Sequence, residues 1–158
     1  MTKIAVDCEF NGFGGQLISM ALVTEHGDEW YKVLDYDLIH PEIDPWVRDN
    51  VMPVLFADPI SKDQFRESLK AFLERQHKPV IVADWYTDLM HFFQCFQGED
   101  HSQSMHIPLK AELLPDMKFL PSDVPHNALF DARSIMATIK ARRSQALDEL
   151  GALDGGTI

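Results

Sequence analysis

Cysteine and basic residues are both scarce in this chain. Of its 158 residues two are cysteine, and 14 Lys plus Arg stand against 25 Asp plus Glu, which gives a net charge of -11. Two thiols, Cys8 and Cys95, are too few to staple a fold of this size and do not form a metal-type pair, so we expect a reducing, cytoplasmic location. Because phosphate binding depends on Lys and Arg, the composition taken alone disfavours nucleic acid as a partner.

Long apolar runs are missing as well. No stretch approaches the roughly 20 apolar residues that span a bilayer, and the N-terminus lacks the basic region and apolar core of a secretory signal, so we expect no membrane association. The length suits one domain over residues 1–158, and a 46% share of hydrophobic residues is that of a globular protein. We expect the last eight or so residues to form a flexible tail.

The pattern of elements predicts an α/β fold. Strand-like runs at residues 3–10, 17–24 and 29–34 are separated by Gly- and Asn-rich turns, which predicts a three-stranded antiparallel meander. A later apolar run at 80–83 suits a strand buried on both faces. With one or two short strands in the irregular segment 99–122, these elements predict a mixed five-stranded sheet, the meander plus parallel strands, flanked by helices.

Four helices are predicted from periodicity and capping signals. A short helix is expected around residues 46–51, and Ser61 with Gln64 forms a capping box that opens a second helix. Asp84 is expected to cap a third helix, and the last helix is expected to run from about 127 to about 150. The expected inner face of the third helix consists of Leu89, Phe93 and Phe96.

Carboxylates recur at three places in this framework. Alternation along the first strand puts Asp7 and Glu9 on one face, Asp88 follows one turn after Asp84, and Asp131 lies early in the last helix. Each has an ordinary alternative: a solvent-facing strand end, or first-turn acids favoured by the helix dipole. His126 at the mouth of the last helix is either a capping residue or a proton acceptor beside a metal ligand.

The ordered set resembles the DEDDh 3′-to-5′ exonucleases of the RNase H-like fold, a superfamily that includes proofreading exonuclease subunits, oligoribonuclease and RNase T. Within it, the chain is most similar to the small bacterial exoribonuclease family typified by mycobacterial ribonuclease AS, which acts on adenylate-containing RNA. The similarity extends from about residue 3 to about 140, without a match over 99–122. Four segments carry it: Asp7-x-Glu9-Phe10, Leu17-Ile18-Ser19, Trp46-Val47-Arg48-x-x-Val51-x-Pro53 and His126-x-Ala128-Leu129-x-Asp131-Ala132-Arg133.

The resemblance implies a metal-dependent 3′-to-5′ exoribonuclease that releases nucleoside 5′-monophosphates from single-stranded RNA. Asp7, Glu9, Asp88 and Asp131 would hold two Mg²⁺ or Mn²⁺ ions, which prefer carboxylate oxygens. His126 would act as the general base that takes the proton from the attacking water. An acidic protein would then grip one chain end through bound metal rather than through basic patches.

Substrate contacts and assembly are also expectations. Phe10 either stacks on a terminal base or joins the core, and Trp46 and Arg48 either pack a helix on the sheet or belong to a base and phosphate site. Many relatives have Asn where this chain has Asp84, which affects substrate contacts there. The resemblance further implies a homodimer in which basic residues of one subunit, here Lys140, Arg142 and Arg143, reach the other subunit's site.

Two alternative functions remain at this stage. A DEDDh exonuclease that trims single-stranded DNA would share the same catalytic set, and only contacts to the 2′-hydroxyl would distinguish it. A catalytically inactive interaction domain that retains the RNase H-like fold is the other.

Overall fold

The computed structural model describes residues 1–36, 42–98, 105–114 and 117–154. Within these ranges no helix is long and apolar enough to cross a membrane. The elements, in chain order, are strands β1 (Thr2–Phe10), β2 (Leu17–Thr24) and β3 (Glu29–Leu34), helix α1 (Pro45–Asn50), a 3-10 turn (Met52–Val54), β4 (Pro59–Ile60), α2 (Lys62–Glu74), β5 (Pro79–Ala83), α3 (Tyr86–Gln94), β6 (Lys110–Leu113) and α4 (Ala128–Asp154).

The strands form one mixed sheet in the order β4-β3-β2-β1-β5-β6. β2 is antiparallel to both of its neighbours, whereas β1 with β5, β5 with β6 and β3 with β4 pair in parallel. The α/β class and the meander are confirmed, but the predicted count of five strands is wrong. The sixth strand, β4, has two residues and pairs with the end of β3, so it is too short to show a periodic pattern.

Helices cover both faces of the sheet. On one face α2 packs against the even-numbered side chains of β1, for example Phe65 and Leu69 against Ile4 and Val6. On the other face α4 packs against β1 and β2 through small residues, with Ala128 and Ala132 lying on Ala5 and Ala21. Because alanines line both sides of this contact, α4 lies close to the sheet. The odd-numbered face of β1, which bears Asp7 and Glu9, is therefore the face that α4 covers.

Most helix ends match the sequence-based expectations. Ser61 caps α2, and its capping box with Gln64 is present. Helix α4 continues beyond residue 150, so residues 151–154, expected to belong to a flexible tail, are helical. The rest of that expected tail, 155–158, lies outside the described residues, as do 99–104 and 115–116 of the irregular segment.

Helix α3 differs from its prediction at both its start and its inner face. Its N-cap is Trp85 rather than Asp84, and Trp85 makes no side-chain capping hydrogen bond. Of the expected inner face, Leu89 and Phe96 pack against the main core cluster as predicted, but Phe93 is 40% exposed. The buried residues of α3 are Thr87, Asp88, His91 and Phe92. Three of these four are polar, which is why an apolar pattern could not reveal that face.

Candidate metal centre

The end of strand β1 reaches past the end of strand β5. The two strands pair in register from Thr2 with Pro79 to Ala5 with Val82. Continuing this register by two residues places Asp7 level with Asp84, the residue that follows β5. The carboxyl ends of neighbouring parallel strands form the edge of the sheet where ligands commonly bind in α/β folds.

One group of three carboxylates forms between β1 and α4. Asp7 and Glu9 lie on the face that α4 covers, and Asp131 lies in the first turn of that helix. One side-chain oxygen from each of the three lies within 4.8 Å of the others. The short alanine contacts between α4 and the sheet thus hold a helix-borne carboxylate against two strand-borne ones.

A second group of three carboxylates shares Asp7 with the first. Oxygens of Asp7, Asp84 and Asp88 also lie within 4.8 Å of one another. Asp88 is only 3% exposed, and its Oδ1 accepts a hydrogen bond of 3.2 Å from the Cys8 amide. Cys8 lies beyond the last paired residue of β5, so this amide bonds to α3 instead of to a strand.

The structure therefore brings together all four predicted metal-binding carboxylates and adds Asp84, which was expected to cap a helix and to affect substrate contacts but not to bind metal. Its membership of a cluster was not evident from sequence, because an acid after a strand and before a helix is typical of an N-cap. The signal available was its position directly after a fully buried strand, where side chains meet those of the neighbouring parallel strand.

Burial and mutual repulsion disfavour charge on these carboxylates. Burial, followed by the nearby Asp131 and Asp88, raises the pKa of Glu9 to about 8. Burial and then Asp84 raise the pKa of Asp88 to about 8, although the Cys8 amide opposes this. Burial is also the largest cause that raises the pKa of Asp7, Asp84 and Asp131 above their usual values. Each therefore bears its charge at neutral pH only at a cost in free energy.

The charge of this carboxylate cluster is not balanced by basic side chains in the described ranges, and only His126 and Ser122 favour the charged form of Asp131. No Lys or Arg there forms an ion pair with any of the five carboxylates. Clustered carboxylate oxygens are the donors that hard divalent cations such as Mg²⁺ and Mn²⁺ prefer. The residues present thus fit two divalent ions, with Asp7 between them.

His126 lies at the side of this cluster. Its amide donates a hydrogen bond of 3.0 Å to Oδ2 of Asp131, and its exposed ring meets the Trp46 ring edge-on at 4.8 Å. Its φ of 66° is unusual for a residue other than glycine. The next residue, Asn127, is buried, caps α4 by accepting from the Leu129 amide at 3.0 Å, and donates to the Val54 carbonyl. Asn127, which the sequence did not single out, thereby fixes the turn that presents His126.

Of the three residues predicted to contact substrate, one packs against the core and two are exposed. The Phe10 ring packs on His91 with ring centroids 4.9 Å apart and joins the main core cluster, as its core alternative predicts. Trp46 is 53% exposed, while α1 packs inward through Val47. Arg48 is exposed and donates a 2.9 Å hydrogen bond to its neighbour Asp49. Helix α1 therefore packs on the sheet through Val47, while the side chains of Trp46 and Arg48 are exposed, and their role in binding substrate stays a prediction.

Two further exposed aromatic residues follow one of the carboxylates directly in the chain. Trp85 and Tyr86 follow Asp84 directly, are 51% and 49% exposed, and contact each other with ring centroids 5.3 Å apart. Their adjacency to an acid at the end of a buried strand is the feature of the sequence that indicates this position. Exposed aromatic rings beside an acidic cluster give flat surfaces on which bases can stack.

The chain matches no protein-family model, and no curated protein matches its sequence.

Proposed function

We propose that this chain is a DEDDh-type 3′-to-5′ exoribonuclease that uses two Mg²⁺ or Mn²⁺ ions to release nucleoside 5′-monophosphates from single-stranded RNA. The observation that carries this proposal is the pair of three-carboxylate groups joined at Asp7. Two adjacent sites with one shared ligand are what a two-metal hydrolysis of phosphodiesters requires. The first site would have Glu9 and Asp131 as its other ligands, and the second would have Asp84 and Asp88.

The sheet supports the finer fold assignment within this proposal. An antiparallel meander continued by parallel strands, with only β2 running against the rest, is the arrangement that the resemblance to the RNase H-like fold implies. The carboxylates come from the central strand β1, from the end of β5 and from two helices. We assign the short strand β4 to an extension at the edge of that sheet.

The carboxylates and His126 have different roles in the proposed hydrolysis. Bound divalent ions would acidify the attacking water and balance charge on the phosphate and on the leaving 3′ oxygen. His126, exposed beside Asp131, accepts the proton of that water as its oxygen attacks phosphorus and the bond to the 3′ oxygen breaks. The hydrogen bond from its amide to Asp131 couples the position of the base to that of a metal ligand.

Substrate binding on this proposal relies on stacking more than on basic patches. Trp46 beside His126 and the Trp85–Tyr86 pair beside Asp84 offer exposed rings for unpaired bases, and stacking contributes about 1 to 3 kcal/mol per base. A net charge of -11 disfavours a long backbone-hugging interface. The enzyme would therefore hold one chain end and release it readily.

Two features of the surroundings belong to the same proposal. Lys140 and Arg142 are exposed on α4, and Arg143 donates a 3.3 Å hydrogen bond to Glu25. We assign the first two to contacts with substrate at the partner site of a homodimer.

Cys8 and Cys95 are both free thiols, which is consistent with the proposed cytoplasmic location.

Hydrolysis of labelled oligonucleotides tests the function. Matched RNA strands labelled at the 3′ or the 5′ end are incubated with the protein in Mg²⁺ and, separately, in EDTA. We expect metal-dependent release of mononucleotides from the 3′ end, and loss of that release in Asp7→Asn, because this substitution removes a ligand from both sites. Internal cleavage, or full activity in Asp7→Asn, would contradict the proposal. Comparing the hydrolysis of a matched DNA strand with that of the RNA strand decides whether the enzyme is a ribonuclease or a deoxyribonuclease. If neither strand is hydrolysed, the result favours the catalytically inactive interaction domain.

A further inference from the structure

A cavity of about 360 Å³ lies on the opposite face of the sheet from the carboxylates that α4 covers. It opens between the first half of α2 and the last turn of α3, under the loop that joins β1 to β2. Buried apolar side chains, Leu17 and Phe65, form its floor. The Phe10 ring packs on His91, which lines this cavity, and none of the five clustered carboxylates is among the lining residues. The pocket is thus separate from the candidate metal centre.

The charge of the pocket is opposite to that of the molecule. Lys62 and Arg66 line it, and none of the described lining residues is acidic, although acids outnumber bases 25 to 14 in the whole chain. The Nε of Arg66 donates a 3.1 Å hydrogen bond to the Cys95 carbonyl at the end of α3. This bond fixes the guanidinium at the pocket wall, and no hydrogen bond among the described residues uses its Nη1 or Nη2. A half-buried, oriented guanidinium with free donors suits a phosphate group.

A buried polar atom lies at the inner end of the same pocket. His91 is 3% exposed and lines the cavity, and its Nε2 has no hydrogen-bond partner among the residues that the structure describes. Its ring is held by the contact with Phe10, so the nitrogen cannot turn toward water without breaking that packing. Burial lowers the pKa of His91 below its usual value, although a side-chain hydrogen bond with Gln94 opposes this, and the neutral imidazole is favoured. Such an orphaned nitrogen destabilises the protein unless a ligand supplies a hydroxyl, amine or ring nitrogen.

We propose that this pocket binds a free nucleoside monophosphate, with its phosphate on Arg66 and Lys62 and a polar group of the nucleoside on Nε2 of His91. The apolar floor formed by Leu17 and Phe65 then receives the base or sugar. A volume of about 360 Å³ falls in the range of small-ligand sites. This inference goes beyond the proposed nuclease activity and does not require it, because no metal-binding carboxylate lines the pocket.

Calorimetric titration of the protein with AMP, in EDTA to keep metal out of the carboxylate site, tests the inference. We expect saturable one-site binding that is weaker for adenosine and for inorganic phosphate, because each offers only half of the ligand. Arg66→Gln should weaken AMP binding about tenfold or more, since it removes a charge-assisted contact. Lys62→Gln is a second variant that should also weaken AMP binding, and because Lys62 is exposed, the change does not disturb the core.

Two controls separate the pocket from general charge effects and from the metal centre. Arg75→Gln removes the same charge from the end of the same helix, where Arg75 lies over the Phe72 ring outside the pocket, and should leave AMP affinity unchanged. Asp7→Asn should also bind AMP like the wild type. Absence of saturable AMP binding to the wild type, or equal affinities of Arg66→Gln and Arg75→Gln, would overturn the inference. Loss of AMP binding in Asp7→Asn would place the ligand at the carboxylates instead.

Discussion

Asp84 and Asp88 differ in burial and in partners although both face Asp7. Asp88 is 3% exposed and held by the Cys8 amide, which fixes it whether or not a cation is present. Asp84, directly after β5, receives no such bond from another strand among the described residues and is held only by the local amides of Asp84 and Trp85, so its main contribution is the negative charge that it adds to the second site. This difference separates a structurally anchored ligand from one whose removal affects mainly metal affinity.

Replacing Asp84 by Asn should therefore weaken one of two metal-binding steps. The change keeps the shape of the side chain and removes one anionic ligand from the group of Asp7, Asp84 and Asp88, leaving the other group intact. Because supporting groups around a metal commonly affect affinity 10- to 100-fold, we expect a loss of at least about tenfold at one site. Calorimetric titration with Mn²⁺ measures both steps. Asp63→Asn, an exposed acid in the first turn of α2, is the matched control, and two wild-type affinities in Asp84→Asn would refute the assignment.

His126 permits a substitution that separates catalysis from backbone strain. Its φ is 66°, a conformation that Asn tolerates better than most residues, so His126→Asn should leave the melting temperature nearly unchanged. Asn cannot take up a proton, and general bases typically contribute about 10²- to 10⁴-fold. We expect the rate of RNA hydrolysis to fall within that range, with unchanged Mn²⁺ affinity. A wild-type rate in His126→Asn would exclude His126 as the base.

At the residue scale, the sequence predicted what depends on local spacing. Alternation along one strand suffices to put Asp7 and Glu9 on one face, and the structure shows them there. The closeness of Asp84 to Asp7 depends on the register between β1 and β5, whose paired residues are 77 positions apart in the chain. Likewise, the role of Asn127 depends on the position of the Val54 carbonyl. Contacts of this kind are fixed by tertiary structure, so single-residue patterns do not reveal them.

At the scale of elements, α4 positions Asp131 through its distance from the sheet. That distance depends on alanines, because Ala128 and Ala132 contact Ala5 and Ala21. A larger side chain at this contact has no cavity to occupy and must push the helix outward. The position of the helix and the geometry of the first carboxylate group are therefore linked.

Ala132→Leu should consequently affect both stability and metal binding. Overpacking of this kind typically costs about 1 to 3 kcal/mol, and the same displacement moves Asp131 away from Asp7 and Glu9. We expect a lower free energy of unfolding in a urea titration and weaker Mn²⁺ binding at one site. Ala137→Leu adds the same side chain to an exposed position of α4 and should change neither. Unchanged metal affinity in a destabilised Ala132→Leu would show that helix position and metal geometry are independent.

Helices and strands with a strong capping or spacing pattern in their own sequence were predictable. Those that depend on contacts with another part of the chain were not. The capping box at Ser61 and the apolar spacing behind it predicted α2 correctly. Strand β4, with two residues, exists only because the end of β3 offers it hydrogen bonds. In α3 the polar residues Asp88 and His91 are buried, one facing the carboxylates and one facing Phe10. An apolar-face rule therefore assigns that helix the wrong orientation at Phe93.

At the scale of the whole molecule, the net charge and the local distribution of charge lead to different conclusions about nucleic acid as a partner. The value of -11 suggested that nucleic acid is an improbable partner. Five of the acids that contribute to it lie in one cluster, where bound cations would change the local field, while the pocket beside α2 is cationic. Composition averages over such sites, so it constrains how the molecule could bind nucleic acid but not whether it does.

The carboxylate cluster should make the stability of the metal-free protein fall as pH rises. The pKa of Glu9 and of Asp88 is raised to about 8 in the folded state, so between about pH 5 and about pH 8 the folded protein holds protons that the unfolded chain has released. Stability is therefore greatest at the acidic end of this window and decreases toward pH 8. In EDTA we expect the melting temperature to fall by at least about 5 °C across it, and Mn²⁺ should restore most of the loss near pH 8, where the ligands are ionised.

General repulsion among surface acids would produce a similar trend, so the measurement needs salt and a matched pair of variants. About 0.5 M NaCl screens exposed charges and leaves buried ones largely unscreened. Under those conditions Glu9→Gln should flatten the dependence of melting temperature on pH and reduce the stabilisation by Mn²⁺, because it removes one of the buried titrating groups. Glu67→Gln, at an exposed position of α2, should behave like the wild type. If the melting temperature in EDTA is constant or rises from about pH 5 to about pH 8, the cluster does not hold the uncompensated charge on which the proposed metal centre rests.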